Sequence, residues 1–281
     1  NPAARGRLYL VATPIGNLED MTFRAVRILR EVDLIAAEDT RHTGKLLQHF
    51  GITTPQISYH HHNRRERQGE LVQRLHRGEQ IALVSDAGIP GISDPGTELV
   101  NACLAVNIPV IPIPGANAAV TALCASGLAT EAFLFLGFLP PKRTARQQRL
   151  LEIKDIQATL IFYEAPHRLV ASLTDMVTVL GGERSAVVAR ELTKLYEEFW
   201  RGTLAQAQAH FEHQPPKGEI TLLVSGATAS PVNAADVVTE IERLLATGLG
   251  CGEIARQLAE TTGLPRRTLY QLALASQRQG S

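Results

Sequence analysis

The stretch QIALVSDAGIPGISDPGTELVNACLAV, residues 80–106, combines an apolar run, a loop rich in glycine and proline, and apolar residues at helical spacing. A strand, a loop and a helix in this order form half of a βαβ unit, from which parallel sheets are built. The loop carries two carboxylates, Asp86 and Asp94, and no lysine or arginine. A phosphate site uses backbone N–H groups together with a cation. The loop therefore predicts a neutral or cationic ligand rather than a phosphate.

Apolar runs like the one that starts at residue 80 recur along the first half of the chain. RLYLVA, DLIAAE and IPVIPI alternate with helical patterns from Arg7 to about Pro114, which predicts a mostly parallel sheet. The second half is richer in strand-like runs, namely FLFLGFL, ATLIFYE, SAVVARE, EEFWRG and EITLLVSG. Among them stand one helix of clear amphipathic length, HRLVASLTDMVTVLGG, and a shorter one, LAQAQAHFE. This half therefore predicts a second α/β domain with a mixed or antiparallel sheet.

A stretch of small residues, SGATASPVNA, separates this body from a helical tail. In the tail, GEIARQLAETTG and PRRTLYQLALASQRQ are joined by a short turn, which predicts a helix-turn-helix. Its second helix would present Arg266, Arg267 and Tyr270 to a nucleic acid, and a plain helical hairpin packed on the body is the alternative. The fold class is thus α/β, with an N-terminal α/β domain at residues 6–116, a C-terminal α/β domain at 117–227 and a small helical tail at 233–281.

The composition excludes several classes of protein. The 281 residues carry 28 basic and 28 acidic side chains, so no global charge points to a nucleic acid. Two segments, HHHNRRERQGELVQRLHR and PPKRTARQQR, are nevertheless locally basic. Three widely spaced cysteines, Cys103, Cys124 and Cys251, are typical of reduced core thiols. No apolar stretch reaches the roughly 18 residues of a membrane span and no signal peptide opens the chain, so we expect a cytoplasmic protein without membrane partners.

Four loops follow predicted strands directly: VATPIGNLED, AEDTRHTGKLL, VSDAGIPGISDPG and PIPGANAAVTAL. Open α/β sheets bind their ligands at the carboxyl ends of strands. None of the four loops contains G-x-G-x-x-G or the Walker pattern, which argues against a dinucleotide site and against an NTPase. We therefore expect the four loops to form one ligand site of another kind.

The segments TPIGNLED, EDTR and SDAGIPGISDPG, in this order, closely resemble the tetrapyrrole-methylase superfamily and, within it, the ribosomal RNA small subunit methyltransferase I branch. The resemblance runs from about Gly6 to Gly226, and a helical tail also occurs in this branch. It implies two unlike domains of the tetrapyrrole-methylase type that bind S-adenosylmethionine in the cleft between them. It also implies methylation of a cytidine ribose 2′-hydroxyl in the decoding centre of 16S ribosomal RNA. The implied partners are 16S ribosomal RNA or the small ribosomal subunit, and a second copy of the chain in a homodimer.

The same resemblance assigns residues to the cofactor. A sulfonium cation that carries an adenine and an amino-acid end suits a site of carbonyls, amides and carboxylates. The implied cofactor-binding positions are Pro14 in the first loop, Asp86, Ala87 and Ile89 in the third, Asn117 and Ala118 in the fourth, Tyr163 and Glu164 at the end of ATLIFYE, and Leu192 after SAVVARE.

Methyl transfer to a ribose hydroxyl needs either a proton acceptor or strict orientation of a weak nucleophile. Glu38, Asp39 and His62 are the candidate acceptors, and catalysis mainly by orientation is the alternative. His60 and His62 would share one face of an extended strand. No further ligand follows them at a spacing known for metal sites, so we expect no metal.

Locally basic segments are expected to contact RNA phosphates, which fix a protein on its nucleic acid without reading sequence. Arg41 and Lys45 lie one helical turn apart, although Glu38 and Asp39 offer them local ion pairs instead. The other pairs lie in the two basic segments and in the tail. The predicted RNA-binding residues are Arg41, Lys45, Arg64, Arg65, Lys142, Arg143, Arg266 and Arg267.

Two other functions fit parts of the sequence. The same cleft would serve a methyltransferase that acts on a tetrapyrrole or another small molecule, although the extended basic segments argue against a compact acceptor pocket. A nucleic-acid-binding protein without enzymatic activity would combine the helix-turn-helix with an α/β body that senses an effector. Transfer of label from S-adenosylmethionine to RNA, to a small molecule or to neither separates the three.

Overall fold

The structure, a computed structural model, describes residues 6–92, 96–228 and 234–279. Asp94 and the middle of the stretch SGATASPVNA lie outside these ranges. The chain forms two compact units, Asn1–Gly226 and Ala227–Ser281. In the described part of the chain, no helix is both long enough and apolar enough to cross a membrane.

Five parallel strands form the first sheet, in the order β3-β2-β4-β1-β5. The two central neighbours β1 and β4 run in register, with Leu8 beside Ile81. The edge strand β3 was missed in the sequence because its three residues are too short to show a period. The strands are β1 (Arg7–Val11), β2 (Leu34–Ala37), β3 (Gln56–Ser58), β4 (Gln80–Val84) and β5 (Val110–Ile113).

Five helices connect these strands and lead on to the second sheet. They are α1 (Phe23–Glu31), α2 (Thr40–His49), α3 (Arg64–His76), α4 (Gly96–Ala105) and α5 (Ala118–Ser126). Three of them begin at a side chain that accepts a hydrogen bond from the first turn: Thr22 for α1, Asp39 for α2 and Asn117 for α5. Such caps supply a hydrogen-bond acceptor to N–H groups of the first turn, which have no acceptor within the helix.

The helices divide between the two faces of the first sheet. Apolar residues of α1 and α2 pack on one face, and those of α3 and α4 pack on the other. The loop after β1 therefore leads to one face, while the loop after its neighbour β4 leads to the opposite face. Open sheets form a crevice where adjacent strands send their connections to opposite faces. The loops after β1 and β4 flank this crevice.

The second sheet has the order β6-β7-β10-β8-β9. β6 and β7 are parallel and every other pair is antiparallel, which confirms the predicted mixed sheet. The strands are β6 (Phe133–Phe138), β7 (Thr159–Glu164), β8 (Ser185–Arg190), β9 (Glu198–Thr203) and β10 (Ile220–Val224). The helices α6 (Arg143–Ile153), α7 (Leu169–Leu180) and α8 (Leu204–His213) pack on one face. The segment PPKRTARQQR, read as a linker or a helix, thus contributes most of its length to a helix.

Helix α5 covers the other face of the second sheet. Its residues Ala119, Ala122 and Leu123 share a core with alternate residues of β7, β8 and β10 and with Ile15 from the loop after β1. Cys124 lies on the exposed side of α5, whereas Cys103 is buried. The prediction of a core cysteine is therefore wrong for Cys124, because the helix turns this position away from its apolar face.

The tail forms three helices with a core of their own. They are α9 (Ala234–Ala246), α10 (Cys251–Thr262) and α11 (Arg266–Gln279). Ile241, Ile254 and Leu269 are fully buried among them. Gly263, at a φ of 67°, ends α10, and Pro265 lies just before α11. A left-handed residue after a helix, followed by a proline, is an efficient stop and restart signal.

Candidate functional site

The loops after β1 and β4 are joined by a short antiparallel bridge. The N–H of Thr13 donates to the carbonyl of Gly88 at 2.9 Å, and the N–H of Gly88 donates to the carbonyl of Thr13 at 3.1 Å. Gly88 has a φ of 81°, a conformation that side chains with a Cβ rarely adopt. The glycine therefore allows the two loops of the crevice to close on each other.

Each bridged loop lines two cavities. Ile15 and Ala87 line a main cavity of about 320 Å³. Pro14 and Asp86, one position earlier in each loop, line a second cavity of about 220 Å³.

The main cavity gathers residues from three of the four loops expected to form one site, whereas the second loop, AEDTRHTGKLL, lines only the second cavity. It lies among the bridged loops, α5 and the ends of β6, β7, β8 and β10. Its residues that the sequence assigned to the cofactor are Ala87, Ile89, Asn117, Ala118, Tyr163, Glu164 and Leu192. Pro14 and Asp86 complete the predicted set but belong to the lining of the second cavity.

The lining of the main cavity is apolar with a few polar groups. Its charged members are Glu164 and Glu219, and neither a lysine nor an arginine is among the described residues that line it. Burial raises the pKa of the Tyr163 hydroxyl, and the N–H of Ala119 opposes this effect. Tyr163 therefore stays protonated at neutral pH and offers a hydrogen-bond donor to the cavity.

The carboxylate of Glu164 is already engaged by the protein. It accepts hydrogen bonds from the N–H of Ala165 at 2.9 Å and from the hydroxyl of Ser172, and the guanidinium of Arg168 lies 3.4 Å away. These contacts anchor the turn of Ala165 and Pro166, which also lines the cavity. The geometry thus gives Glu164 a positioning role at the cavity wall.

Asp86 connects the loop after β4 to the loop after β2. Its carboxylate accepts from the N–H of Asp39 at 3.0 Å, and its own N–H donates to the carboxylate of Glu38 at 3.3 Å. The side chain of Arg41 and then its N–H hold the pKa of the Asp39 carboxyl well below its usual range. A carboxylate of such low basicity accepts a proton poorly. Asp39 instead caps α2 and pairs with Arg41 at 2.7 Å.

A clamp of one lysine and two glutamates borders the main cavity. The ammonium of Lys194 lies 2.8 Å from the carboxylates of both Glu191 and Glu219. Lys194, followed by the N–H of Glu219, lowers the pKa of Glu191. Glu191 and Thr193 have φ values of 51° and 66°. The loop that holds Leu192 against the cavity is therefore strained at two residues and fixed by ion pairs.

The three candidate proton acceptors do not reach the main cavity. Neither Glu38, Asp39 nor His62 is among the described residues that line it or the second cavity. His62 is exposed on a turn that leads into α3, and its ring centre is 5.9 Å from that of His60. These histidines lie on a turn and not on an extended strand, because β3 ends at Ser58 and the side chain of Asn63 accepts a hydrogen bond from the N–H of His60 at 2.8 Å. No group of three metal-ligating side chains is present among the described residues.

The predicted RNA-binding residues differ in how far the protein itself engages them. Arg64 pairs with Glu98 of α4 at 2.9 Å, and Arg143 lies 3.3 Å from Asp175. Arg41 is exposed and pairs with Asp39 at 2.7 Å. The other five side chains are also exposed, and the structure shows no ion pair for them within the described ranges. They are Lys45, which lines the second cavity, Arg65, Lys142, Arg266 and Arg267.

Phe138 is a further cavity residue that the sequence analysis missed. It lines the main cavity at the end of β6 and is 56% exposed. The register of β6 against β7 shifts between Phe135 and Phe138, and Gly137 between them has a φ of 61°. The signal that would have found it is the glycine inside the apolar run FLFLGFL, since an isolated glycine in a strand pattern suggests a bulge.

Comparison with known proteins places the whole chain among methyltransferases. Residues 7–208 match the family Tetrapyrrole (Corrin/Porphyrin) Methylases, and residues 232–277 match the RsmI C-terminal HTH domain. The chain is 60% identical over 278 residues to ribosomal RNA small subunit methyltransferase I of Synechocystis sp.. The aligned region covers 98% of this chain and 100% of that protein. It is 52% identical over 275 residues to the protein of the same name from Halalkalibacterium halodurans. The aligned region covers 95% of this chain and 94% of that protein.

Solved structures show the same architecture at low sequence identity. Uroporphyrin-III C-methyltransferase from Thermus thermophilus, complexed with S-adenosylhomocysteine, matches with a TM-score of 0.55. The match covers 78% of this chain and 97% of that chain at 19% identity. At this identity the likeness establishes the fold.

Proposed function

The chain belongs to the tetrapyrrole methylase family and, within it, to the ribosomal RNA small subunit methyltransferase I group, and we propose that it methylates the ribose 2′-hydroxyl of a cytidine in 16S ribosomal RNA. The methyl donor of the family is S-adenosylmethionine. The observation that carries the proposal is the main cavity, where seven positions expected to hold this donor converge.

The main cavity fits this donor in size and in charge. Its volume of about 320 Å³ lies in the range of small-molecule sites, which is about 300–1,000 Å³. The described lining contains neither lysine nor arginine, and its two glutamates are paired with Arg168 and Lys194, so it lacks the unpaired cation that a phosphate site uses. The residues that would hold the donor are those of the bridged loops and α5, with Tyr163 as a hydrogen-bond donor on the opposite wall.

When bound, S-adenosylmethionine supplies a methyl carbon that a ribose oxygen can attack while the sulfur leaves as a neutral thioether. The residues of this chain have two tasks in that reaction. The bridge between Thr13 and Gly88 and the Lys194 clamp fix the cavity walls, so the donor is bound in one orientation. Glu38, Asp39 and His62 remain the predicted proton acceptors, although Arg41 lowers the pKa of the Asp39 carboxyl. Orientation alone is the alternative to a base.

The proposed acceptor follows from the relatives and from the charges outside the cavities. The relatives at 60% and 52% identity are named as methyltransferases of small-subunit ribosomal RNA. The exposed lysines and arginines described above supply contacts for phosphates, and the tail supplies a helix-turn-helix. We therefore propose the small ribosomal subunit or its 16S RNA as substrate, a cytoplasmic location, and a homodimer, whose mass in solution is measured by light scattering.

A transfer assay with labelled S-adenosylmethionine tests the acceptor. Unmodified small ribosomal subunits, protein-free 16S RNA and a porphyrin precursor are offered separately, and nuclease digestion locates the label. Label on a cytidine ribose supports the proposal. Label on a base, or on the small molecule alone, contradicts it, and binding of RNA without any transfer favours a protein that only binds.

The free basic side chains should govern the salt dependence of RNA binding. Replacing Arg65 and Lys142 together by glutamine should weaken binding and lower the slope of log K against log salt by about 2, since each neutralised phosphate contributes about one counterion. Filter binding between low and moderate salt measures the slope. The control is the double replacement of Arg27 and Arg243, which already pair with glutamates on their own helices at 2.7 Å. Equal slopes for both double variants would show that Arg65 and Lys142 do not contact RNA phosphates.

Removal of the tail should separate donor binding from RNA methylation. The unit Asn1–Gly226 has its own hydrophobic cores, so a chain that ends at residue 228 is expected to fold and to bind S-adenosylmethionine. If the tail docks on RNA, the shortened chain should methylate ribosomal subunits with a higher KM than the full chain. Steady-state kinetics on subunits measures this, and an unchanged KM would show that the tail does not dock.

A further inference from the structure

Phe138 is exposed at the main cavity, at the end of a strand whose four preceding residues are half-buried. Leu134 and Leu136 of β6 pack toward the face of the second sheet that α6, α7 and α8 cover. Phe135 points to the opposite face, where α5 and the cavity lie. With strict alternation Gly137 would follow Phe135, and Phe138 would join Leu136 among the helices.

A bulge overrides this alternation. Phe135 pairs with Ile161 and Phe138 pairs with Tyr163, so three steps along β6 match two steps along β7. The extra residue turns Phe138 to the face of Phe135 and into the lining of the main cavity. Bulges concentrate beside active sites, where they redirect a side chain. The left-handed φ of Gly137 is the backbone feature that accommodates the bulge here.

The ring of Phe138 is supported by the protein on one side only. It contacts Tyr163 edge to face, with ring centres 5.8 Å apart, and Tyr163 is held in the same way by Phe135 at 4.9 Å. On the opposite side of the cavity, Ile92 from the loop after β4 is 43% exposed. Singly exposed apolar side chains are ordinary, but Ile92 and Phe138 line the same cavity and are therefore both accessible to a ligand there.

We propose that Phe138 is the stacking platform for the base of the acceptor nucleotide, an inference that rests on the proposed RNA methyltransferase function. Proteins that recognise single-stranded RNA commonly stack an unpaired base on an aromatic side chain. Lys142 lies four residues further along the chain, at the start of α6, and is exposed with no ion pair shown in the described part of the chain. An exposed aromatic ring followed closely in the chain by an exposed cation suits a base and its phosphate better than an apolar peptide.

Three variants test the platform: Phe138→Ala, Phe138→Tyr and, as a matched control, Phe133→Ala. Phe133 lies on the same strand, is 46% exposed and does not belong to the lining described for the main cavity. With unmodified small ribosomal subunits, Phe138→Ala should raise KM about 10-fold, the loss expected when one base loses its aromatic partner. Its Kd for S-adenosylmethionine, measured by calorimetry without RNA, should rise by much less than KM does. Phe138→Tyr should restore KM, and Phe133→Ala should leave it unchanged.

Each other outcome overturns the proposal in a recognisable way. A rise in the Kd for S-adenosylmethionine that accounts for the rise in KM would make Phe138 part of the donor site. A KM unchanged in Phe138→Ala would show that no base stacks there. A change of molecular mass in solution would identify Phe138 as a contact between copies of the chain. Absence of transfer by the unaltered chain would refute the proposed function itself, whereas normal transfer with an unchanged KM refutes only the platform.

Discussion

The variant Ala87→Trp should lose affinity for S-adenosylmethionine by about 100-fold or more, equivalent to about 2.7 kcal/mol. Ala87 lines the main cavity from the loop after β4, and its side chain is exposed. An indole at this position would fill the space that the donor needs without entering a packed core. Exposed substitutions of this kind change the free energy of unfolding by only about 0.5 kcal/mol. Calorimetry with S-adenosylmethionine measures the affinity, and urea unfolding measures the stability.

The matched control for this variant is Ala105→Trp. Ala105 is also an exposed alanine, at the end of α4, and it is not among the residues that line either cavity. This control should bind the donor as the unaltered chain does. If Ala87→Trp folds and binds S-adenosylmethionine with unchanged affinity, the donor does not occupy the main cavity, and the proposed function loses the observation that carries it.

The largest loss of stability is expected from Arg146→Met. Arg146, 5% exposed on α6, donates to the carboxylate of Asp175 on α7 at 2.7 Å and to the carbonyl of Pro141 at 3.2 Å. Asp175 is 1% exposed. Removing the arginine takes a positive charge and a hydrogen-bond donor away from the buried carboxylate of Asp175. This should lower the free energy of unfolding by about 3–5 kcal/mol. The midpoint and slope of urea unfolding measure this loss.

A second arginine of the same helix provides the comparison. Arg149 pairs with Glu152 at 2.9 Å, but the side chains are 46% and 49% exposed. Solvent screens such a pair, so Arg149→Met should cost less than about 1 kcal/mol. A small loss in both variants would mean that Gln147, which donates to Asp175 at 2.8 Å, and Arg143 suffice to compensate its charge.

The sequence by itself determined the fold class, because the relevant signals are local. A run of apolar β-forming residues, a loop and a helical period recur in order, and each repeat predicts a strand followed by a helix. The carboxyl ends of parallel strands lie at one edge of a sheet, so the convergence of the loops was also predictable. Seven of the nine cofactor positions that the resemblance implied line one cavity as a result.

Only the tertiary structure decided which side of each loop faces the ligand. The bridge between Thr13 and Gly88 joins residues 75 positions apart, and it turns Ala87 into the main cavity and Asp86 into the second one. The bulge that exposes Phe138 likewise depends on the register between β6 and β7. Charge pairing is equally nonlocal, since Arg64 is engaged by Glu98 from another helix. Register and pairing depend on contacts between distant segments, and no local period of the sequence encodes them.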